Sequence, residues 1–241
     1  MSPLDTSPEL AWPWKELSPK VPSRGVISAP WSPQLETGVP ELKVTRQPLF
    51  GGMTNVLEND RFFLAGPFLG APQAVMILEI LGRYQAKEFI FLGFAGSLSN
   101  RLNPGDLFMP TAGISTEGTS AHYPGELTPD PELAEHLLSI SPTMARGLSW
   151  TTDAPFRETL NIINEHREKK ADTVDMESAA LMAAARFRGL KLAVLLVISD
   201  IFGPEDWKSY VRCREVRQGW NRAFNLAREV LLHRHKRFPD I

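Results

Sequence analysis

The sequence predicts a layered α/β domain whose central sheet is largely parallel. Short apolar runs of strand length alternate with amphipathic helical patterns from Gly25 onward, and this alternation is typical of α/β proteins. Two of the runs, over 88–93 and 191–199, are almost continuously apolar. Strands that carry helices on both faces of their sheet have this composition, because neither face meets water.

The first half of this domain alternates strands with helices. Residues 66–70 have the composition of a turn, and Pro72 suits the first turn of a helix. Val75, Leu78 and Leu81 give that helix one buried side. The elements predicted up to residue 151 are strands over 61–65, 88–93, 107–114 and 146–151, the helix from Pro72, and a helix over 131–139.

The last third of the chain has the clearest signals. Asp175 is well placed to cap a helix over about 176–188, and Gly189 ends that helix. The apolar strand over 191–199 follows. An amphipathic helix over about 207–235 closes the chain.

Composition excludes several classes of protein. The formal net charge of −2 on 241 residues argues against a general nucleic-acid binder, which usually carries a basic surplus. Cys213 is the single cysteine, which excludes an intrachain disulfide and a multi-cysteine metal site. No apolar run approaches the roughly 18 residues of a membrane helix, and residues 1–10 lack the features of a signal peptide. We therefore expect a cytoplasmic protein that binds neither nucleic acid nor a membrane.

Residues 1–24 form a predicted Pro- and Trp-rich arm that precedes one domain over 25–241. The first 48 residues hold nine of the 20 prolines and three of the six tryptophans. Proline at this density does not sustain a helix or an inner strand. The tryptophans are apolar enough to dock on the body of the protein or on a neighbouring subunit. A partly disordered leader is the alternative.

Five motifs lie where ligands of open α/β sheets bind, outside the carboxyl ends of the strands. In chain order they are GPFLGAP (66–72), GFAG (93–96), EGTSAHY (117–123), TVDMESAA (173–180) and ISD (198–200). Together they resemble the motifs of the nucleoside phosphorylase and nucleosidase superfamily. The combination is similar to uridine phosphorylases and hexameric purine nucleoside phosphorylases, and the resemblance covers the chain from about Gly25 to its C-terminus.

The resemblance implies a three-layer α/β/α fold with a mixed central sheet, and cleavage of the bond between a base and C1′ of a ribose. It implies a nucleoside substrate with phosphate as the acceptor in phosphorylases, no metal or organic cofactor, and a homo-oligomer of two or six chains. The transition state of such a cleavage carries positive charge on the sugar and negative charge on the departing base. A catalyst holds the sugar hydroxyls, offers a proton to the base and positions a nucleophile beneath C1′.

The resemblance implies that one carboxylate holds the sugar hydroxyls and that another offers a proton to the base. Glu177 is expected to bind the 2′ and 3′ hydroxyls of ribose, with Met176 packing against the sugar, because charge-assisted hydrogen bonds are roughly twice as strong as neutral ones. The alternative is an acidic residue that only favours the helix dipole. Asp200 is expected to protonate N7 of a purine, as in the purine-cleaving branch. Its alternative role is to cap the turn that follows it.

The loop after residue 151 is expected to bind the base. Phe156 can stack on a heterocycle, and the guanidinium of Arg157 can reach ring oxygens. In uridine phosphorylases an arginine in this region recognises the pyrimidine. Arg157 therefore favours a pyrimidine substrate, whereas Asp200 favours a purine. A surface ion pair between Arg157 and Glu158 is the alternative. His122 and Tyr123 either line the sugar end or pack within their own loop.

The family's phosphate site is altered in this chain. The nucleophile is expected above Gly93, Phe94, Ala95 and Gly96, where relatives place a Thr or Ser at the position of Phe94. Phe91 stands where relatives usually have an arginine. Burying a dianion against phenylalanines costs several kcal/mol. Only Arg46 matches a family arginine, one that reaches into the neighbouring subunit's site.

Three functions remain open on the sequence. The first is a phosphorylase that holds phosphate by Arg46 and backbone amides. The second is a nucleosidase in which water attacks C1′, since nucleosidases of the superfamily often carry a Gly-x-Ala-Gly segment like the one at 93–96. The third is a relative that binds a nucleoside without cleaving it. A proton donor such as Asp200 favours the first two, because binding alone does not need one.

Overall fold

A computed structural model describes residues 21–29, 43–44, 54–203 and 206–232. Most of the predicted arm over 1–24 lies outside the described residues, and so does Arg46. The strands are β1 (Arg24–Ser28), β2 (Lys43–Val44), β3 (Asn55–Glu58), β4 (Phe63–Gly66), β5 (Glu88–Ser97), β6 (Leu107–Ser115), β7 (Ala145–Thr151), β8 (Ala171–Asp175), β9 (Lys191–Phe202) and β10 (Trp207–Ser209). The α-helices are α1 (Ala71–Arg83), α2 (Pro131–Ile140), α3 (Leu160–Glu168), α4 (Ser178–Phe187) and α5 (Arg214–Leu232).

The ten strands form one mixed sheet in the order β10-β9-β6-β7-β8-β5-β1-β4-β3-β2. An additional pairing between β5 and β9 closes five strands, β5, β6, β7, β8 and β9, into a ring. The longest pairings, β5 with β9 and β6 with β7, are parallel. Antiparallel pairings join β5 to β8 and β6 to β9. The sheet is therefore mixed, as the resemblance implied.

Side chains along β5 alternate between two hydrophobic cores, one on each face of the sheet. Phe89 and Phe91 belong to the core under α1 and α4, whereas Ile90 and Leu92 belong to the core under α5 and α2. All four side chains are fully buried. Because successive strand residues point to opposite faces, this alternation requires helices on both sides. The three-layer α/β/α prediction is confirmed.

Two predicted strands are longer than the sequence indicated. The strand predicted over 88–93 continues to Ser97, because Gly96 and Ser97 pair with β8. The strand predicted over 191–199 continues to Phe202, because its last residues pair with β10. The segment 93–96 is therefore part of β5 rather than a loop.

The predicted helix over 207–235 begins later than expected. Trp207 to Ser209 pair antiparallel with β9, so these residues are a strand, and α5 begins at Arg214. The prediction that Trp207 and Val211 lie on the buried face of this helix is wrong, because these side chains are 57% and 46% exposed. From Val216 onward the pattern is correct, and the apolar face of α5 is buried on the sheet. The described helices include none with the length and hydropathy that a bilayer span demands.

Candidate active site

A cavity of about 440 Å³ lies at the carboxyl ends of the parallel strands. Five segments that are distant in sequence form its wall. These are the end of β1, the turn after β4, the second half of β5, the turn before α3 and the junction between β8 and α4. The last residues of β9 and the first of β10 complete it. The cavity therefore lies where the sequence placed the ligand, and both Glu177 and Asp200 line it.

Glu177 is a buried carboxyl at the wall of this cavity, with 4% of its surface exposed. The backbone N–H of Gly70, in the turn before α1, donates a 2.8 Å hydrogen bond to Glu177 Oε1. Burial and the nearby charge of Asp175 together raise the pKa of Glu177 to about 8, against the opposing effect of the N–H groups of Gly70 and Met176. At neutral pH the carboxyl of Glu177 is therefore largely protonated, and hydrogen bonds from ligand hydroxyls or a nearby positive charge would favour its ionised form.

Asp175 fixes the backbone that carries Glu177. Its Oδ1 accepts hydrogen bonds from the N–H of Glu177, the N–H of Ser178 and Oγ1 of Thr151, each at 2.9 Å. Its Oδ2 accepts one from Ser149 Oγ at 2.8 Å and another from Ser178 Oγ. Helix α4 begins at Ser178 with Glu177 as its N-cap residue, two residues later than predicted, and Asp175 caps it only through the hydrogen bond that Oδ1 accepts from the Ser178 N–H. Because these bonds occupy both oxygens, Asp175 acts as a positioning group for Glu177.

Asp200 lies in β9 rather than in a turn. Its backbone is in register with Gly96 of β5 and with Ser209 of β10. The hydroxyl of Ser199 donates to Asp200 Oδ2. This placement contradicts the alternative in which Asp200 only caps a following turn. The half-buried carboxyl lines the same cavity as Glu177.

Glu158 is a cavity residue that the sequence analysis considered only as a surface partner of Arg157. It follows the 3₁₀ turn Pro155–Arg157 and lines the cavity with Asp200. Burial raises the pKa of Glu158 to about 7, and the negative charge of Asp200 contributes to the shift. The two carboxyls are thus close enough to interact. Its position beside two predicted site residues was the available signal.

The two residues predicted to bind the base occupy different places. Phe156 lines the cavity mouth and is 99% exposed, so its ring is available to a ligand. Arg157 is exposed and stands outside the cavity wall, so its predicted contact with the base has no support in the geometry. His122 is exposed, whereas Tyr123 is half-buried and its hydroxyl donates to Glu79 at 3.0 Å. Neither of them lines the cavity.

The segment 93–96 forms the floor of the cavity within β5. Phe94, Ala95 and Gly96 line the cavity, and Gly93 lies beside them. The Phe94 ring packs edge-on against Trp220 with centroids 5.0 Å apart. The ring of Phe91 is fully buried, as expected for a strand residue facing the core. A Cβ on Gly93 would lie 2.6 Å from the Phe91 ring, so only glycine fits there.

The described wall of the cavity is acidic. It carries four carboxyl groups and, among the residues that the structure describes, no lysine, arginine or histidine. The carboxyl groups belong to Glu158, Asp175, Glu177 and Asp200. In their ionised forms these carboxyls stabilise positive charge in a ligand, and the described wall offers an anion no cationic side chain. The electrostatics thus suit the cationic sugar of a glycosidic cleavage.

Fold and cavity together define an α/β protein with a carboxyl-lined cavity at the strand ends. The chain matches the model of the phosphorylase superfamily over residues 36–233 and belongs to that family, as the motifs indicated. The guanosine phosphorylase of Halorubrum lacusprofundi is 24% identical over 137 residues, which are 54% of this chain and 57% of that protein. The chain spans less than two thirds of the length of the curated relatives it matches.

Solved structures show the same fold. The uridine phosphorylase of Vibrio fischeri ES114 superposes with a TM-score of 0.74 at 18% identity, over 90% of this chain and 99% of that chain. The AMP nucleosidase of Bacteroides thetaiotaomicron VPI-5482 superposes with a TM-score of 0.69 at 21% identity, over 88% of each chain. The architecture is therefore shared by phosphorylases and a nucleosidase.

Proposed function

We propose that this protein cleaves the N-glycosidic bond of a purine nucleoside. The observation that carries the proposal is that Glu177 and Asp200, from different parts of the chain, line one cavity. Membership of the phosphorylase superfamily supports the same reaction class. The bond breaks when the sugar can carry positive charge and the base can accept a proton, and two separate carboxyls supply these two needs.

At the ribose end, Glu177 binds the 2′ and 3′ hydroxyls and Met176 packs against the sugar. Both residues line the cavity. The N–H of Gly70 donates to Oε1 of Glu177, so Oε2 is not occupied by that hydrogen bond. The ribose hydroxyls donate to Glu177 and favour its ionised form, so its proton passes to solvent as the nucleoside binds. The carboxylate then attracts the positive charge that develops on the sugar. The carboxyl therefore stabilises the transition state more than the bound substrate.

At the base end, Asp200 gives its proton to N7 as the bond to C1′ breaks. The electron pair of that bond moves to the base, and the added proton neutralises it. Ser199, whose hydroxyl donates to Asp200, keeps the carboxyl oriented in β9. The exposed ring of Phe156 covers the base by stacking.

Water is the nucleophile that the acidic wall favours. Four carboxyls and no basic side chain face the cavity in the described parts of the chain. A phosphate dianion finds no basic side chain in the described wall to offset the cost of its desolvation, whereas water carries no charge. Phe94 occupies the floor where relatives place a phosphate-binding hydroxyl, and its ring packs on Trp220. Attack by water yields free ribose and free base.

Phosphate is the second candidate acceptor, because a curated relative is a guanosine phosphorylase. This candidate needs cations from elsewhere, of which Arg46 is the predicted one. Arg46 lies outside the described residues, and in the family its equivalent acts across a subunit interface. We therefore expect a homo-oligomer in either case, and a solution mass equal to one chain would contradict that expectation.

A panel of nucleosides, incubated with and without inorganic phosphate, tests the proposal. The products to score are free base, ribose and ribose 1-phosphate. Release of ribose without phosphate supports hydrolysis, and ribose 1-phosphate formed only with phosphate supports phosphorolysis. If no purine nucleoside releases its base under either condition, the proposed activity is wrong. Calorimetric binding of a nucleoside without cleavage would then identify a binding protein.

A further inference from the structure

The base end of the cavity contains a second carboxyl that the cleavage itself does not require. Glu158 lines the cavity from the turn before α3, and Asp200 lines it from β9. Both carboxyls line the same cavity, and the negative charge of Asp200 contributes to the raised pKa of Glu158, which places the two groups near each other. A purine has adjacent polar groups along one edge, N7 and the substituent at C6.

We infer that Glu158 is a specificity-determining residue that contacts the C6 substituent of the base beside the N7 that Asp200 protonates. The inference rests on the proposed function, because it takes the orientation of the purine from the role of Asp200. A purine placed with N7 at one carboxyl brings its C6 group to the neighbouring carboxyl. The two side chains thereby match the two polar positions of one purine edge.

The protonation of Glu158 decides which substituent it accepts. Burial and the charge of Asp200 raise the pKa of Glu158 to about 7. Below that pH the carboxyl is protonated and donates to the O6 acceptor of a 6-oxopurine. Above it the carboxylate accepts from the N6–H of a 6-aminopurine. Selectivity should therefore pass from 6-oxopurine to 6-aminopurine nucleosides as the pH rises.

The other charged groups near Glu158 do not offer the C6 substituent a carboxyl that changes between donor and acceptor. On the β10 side, the ammonium of Lys208 is 3.0 Å from Asp206 and so is paired there. Arg157, adjacent in sequence, is exposed and outside the cavity wall. The remaining titratable groups of the wall are Asp175 and Glu177 at the sugar end and Asp200 itself.

The test is the pH dependence of a ratio, kcat/KM for inosine divided by kcat/KM for adenosine. Both nucleosides receive the same proton at N7, so loss of that proton from Asp200 lowers both rates alike, whereas a change in the protonation of Glu158 changes their ratio. We expect the ratio to fall about tenfold or more between about pH 5.5 and about pH 8.5, as for a hydrogen bond to a charged group. Glu158→Gln presents both a donor and an acceptor at every pH, so its ratio should not vary.

Glu165→Gln is the matched control, since Glu165 is exposed on α3 and paired with Lys169 at 2.5 Å. This variant should keep the wild-type pH dependence. If both nucleosides are cleaved at a ratio that does not change with pH, the role of Glu158 is wrong and the proposed activity stands. If neither is cleaved, the ratio of their calorimetric Kd values takes the place of kcat/KM. A pH-dependent Kd ratio that Glu158→Gln abolishes then supports the inference without the activity, and no binding overturns both.

Discussion

The backbone N–H of Gly70 donates to the carboxyl of Glu177 at 2.8 Å, although 107 residues separate them in sequence. This hydrogen bond joins the turn after β4 to the start of α4. It aims Glu177 into the cavity from one side, while Asp175 holds the Glu177 backbone from the other with a 2.9 Å bond. A buried carboxyl that is fixed at two points has already lost its rotamer freedom on folding, so it loses no further side-chain entropy when it binds hydroxyls.

Replacing Glu177 with Gln should abolish most of the activity. The amide cannot ionise, so it cannot stabilise the positive sugar, and it accepts weaker hydrogen bonds from the ribose hydroxyls. We expect kcat/KM for purine nucleosides to fall about 100-fold or more. Steady-state assays of base release check this, with the exposed Glu165→Gln as the control. Comparable rates for the two variants would remove Glu177 from ribose binding.

Replacing Asp200 with Asn should slow base departure far more than it weakens binding. Asparagine has no acidic proton to give, so kcat for inosine should fall about 100-fold or more with little change in KM. A nucleoside whose purine is already methylated at N7 needs no proton there, and Asp200→Asn should cleave it at nearly the wild-type rate.

The control for Asp200 is Asp60→Asn, because Asp60 is an exposed acidic residue in the turn between β3 and β4. This variant should cleave both substrates normally. An equal loss of rate on inosine and on the N7-methylated nucleoside would show that Asp200 does not act by donating a proton to N7.

Replacing Phe94 with Thr should create or increase phosphate dependence. The ring packs on Trp220 and lines the cavity floor, so threonine would open space and add a hydroxyl. Phe94→Leu is the matched control, because it removes the ring without adding a hydrogen-bonding group. Rates measured against phosphate concentration distinguish the two variants. Equal responses would mean that no hydroxyl at residue 94 helps to hold the anion.

The stability of the unliganded protein should fall as the pH rises from about 4.5 to about 8. The folded protein raises the pKa of Glu177 to about 8 and that of Glu158 to about 7, both from 4.5. Across this window the folded state binds more protons than the unfolded chain does, so unfolding becomes easier with increasing pH. Calorimetric Tm values on both sides of the window check the sign.

Glu177→Gln isolates the contribution of its carboxyl, because a glutamine does not titrate. The variant should lose less Tm than the wild type does between about pH 5 and about pH 8.5. An identical pH dependence in the two proteins would show that Glu177 is not a protonated buried carboxyl in the folded state.

Much of the architecture follows from local signals in the sequence. The apolar run from Lys191 fixes β9 as a doubly buried strand, and Asp175 marks the start of α4. The sequence did not predict α3 or β8, because α3 has only three apolar residues and β8 is polar at three of its five positions. Its hydroxyl and carboxyl side chains become favourable only in the network around Asp175.

The sequence predicted the site residues that belong to recognisable motifs, and it missed the one that reaches the cavity only through the tertiary fold. Glu177 and Asp200 are next to strongly patterned elements, and both reach the cavity. Glu158 is adjacent in sequence to the predicted Phe156 and Arg157, but it shares a cavity with Asp200 only because the tertiary fold brings the turn before α3 to the end of β9. Similarly, Trp207 resembled a helix residue, and its strand exists only through pairing with β9. Long-range pairing of this kind has no local signal.

The most direct test of the central claim is a crystal structure of this protein with a non-cleavable purine nucleoside analogue. We predict the 2′ and 3′ hydroxyl oxygens within hydrogen-bonding distance of Glu177 and the N7 edge of the base against Asp200. A nucleoside bound outside this cavity, or bound with its base at Glu177 and its sugar at Asp200, would contradict the account.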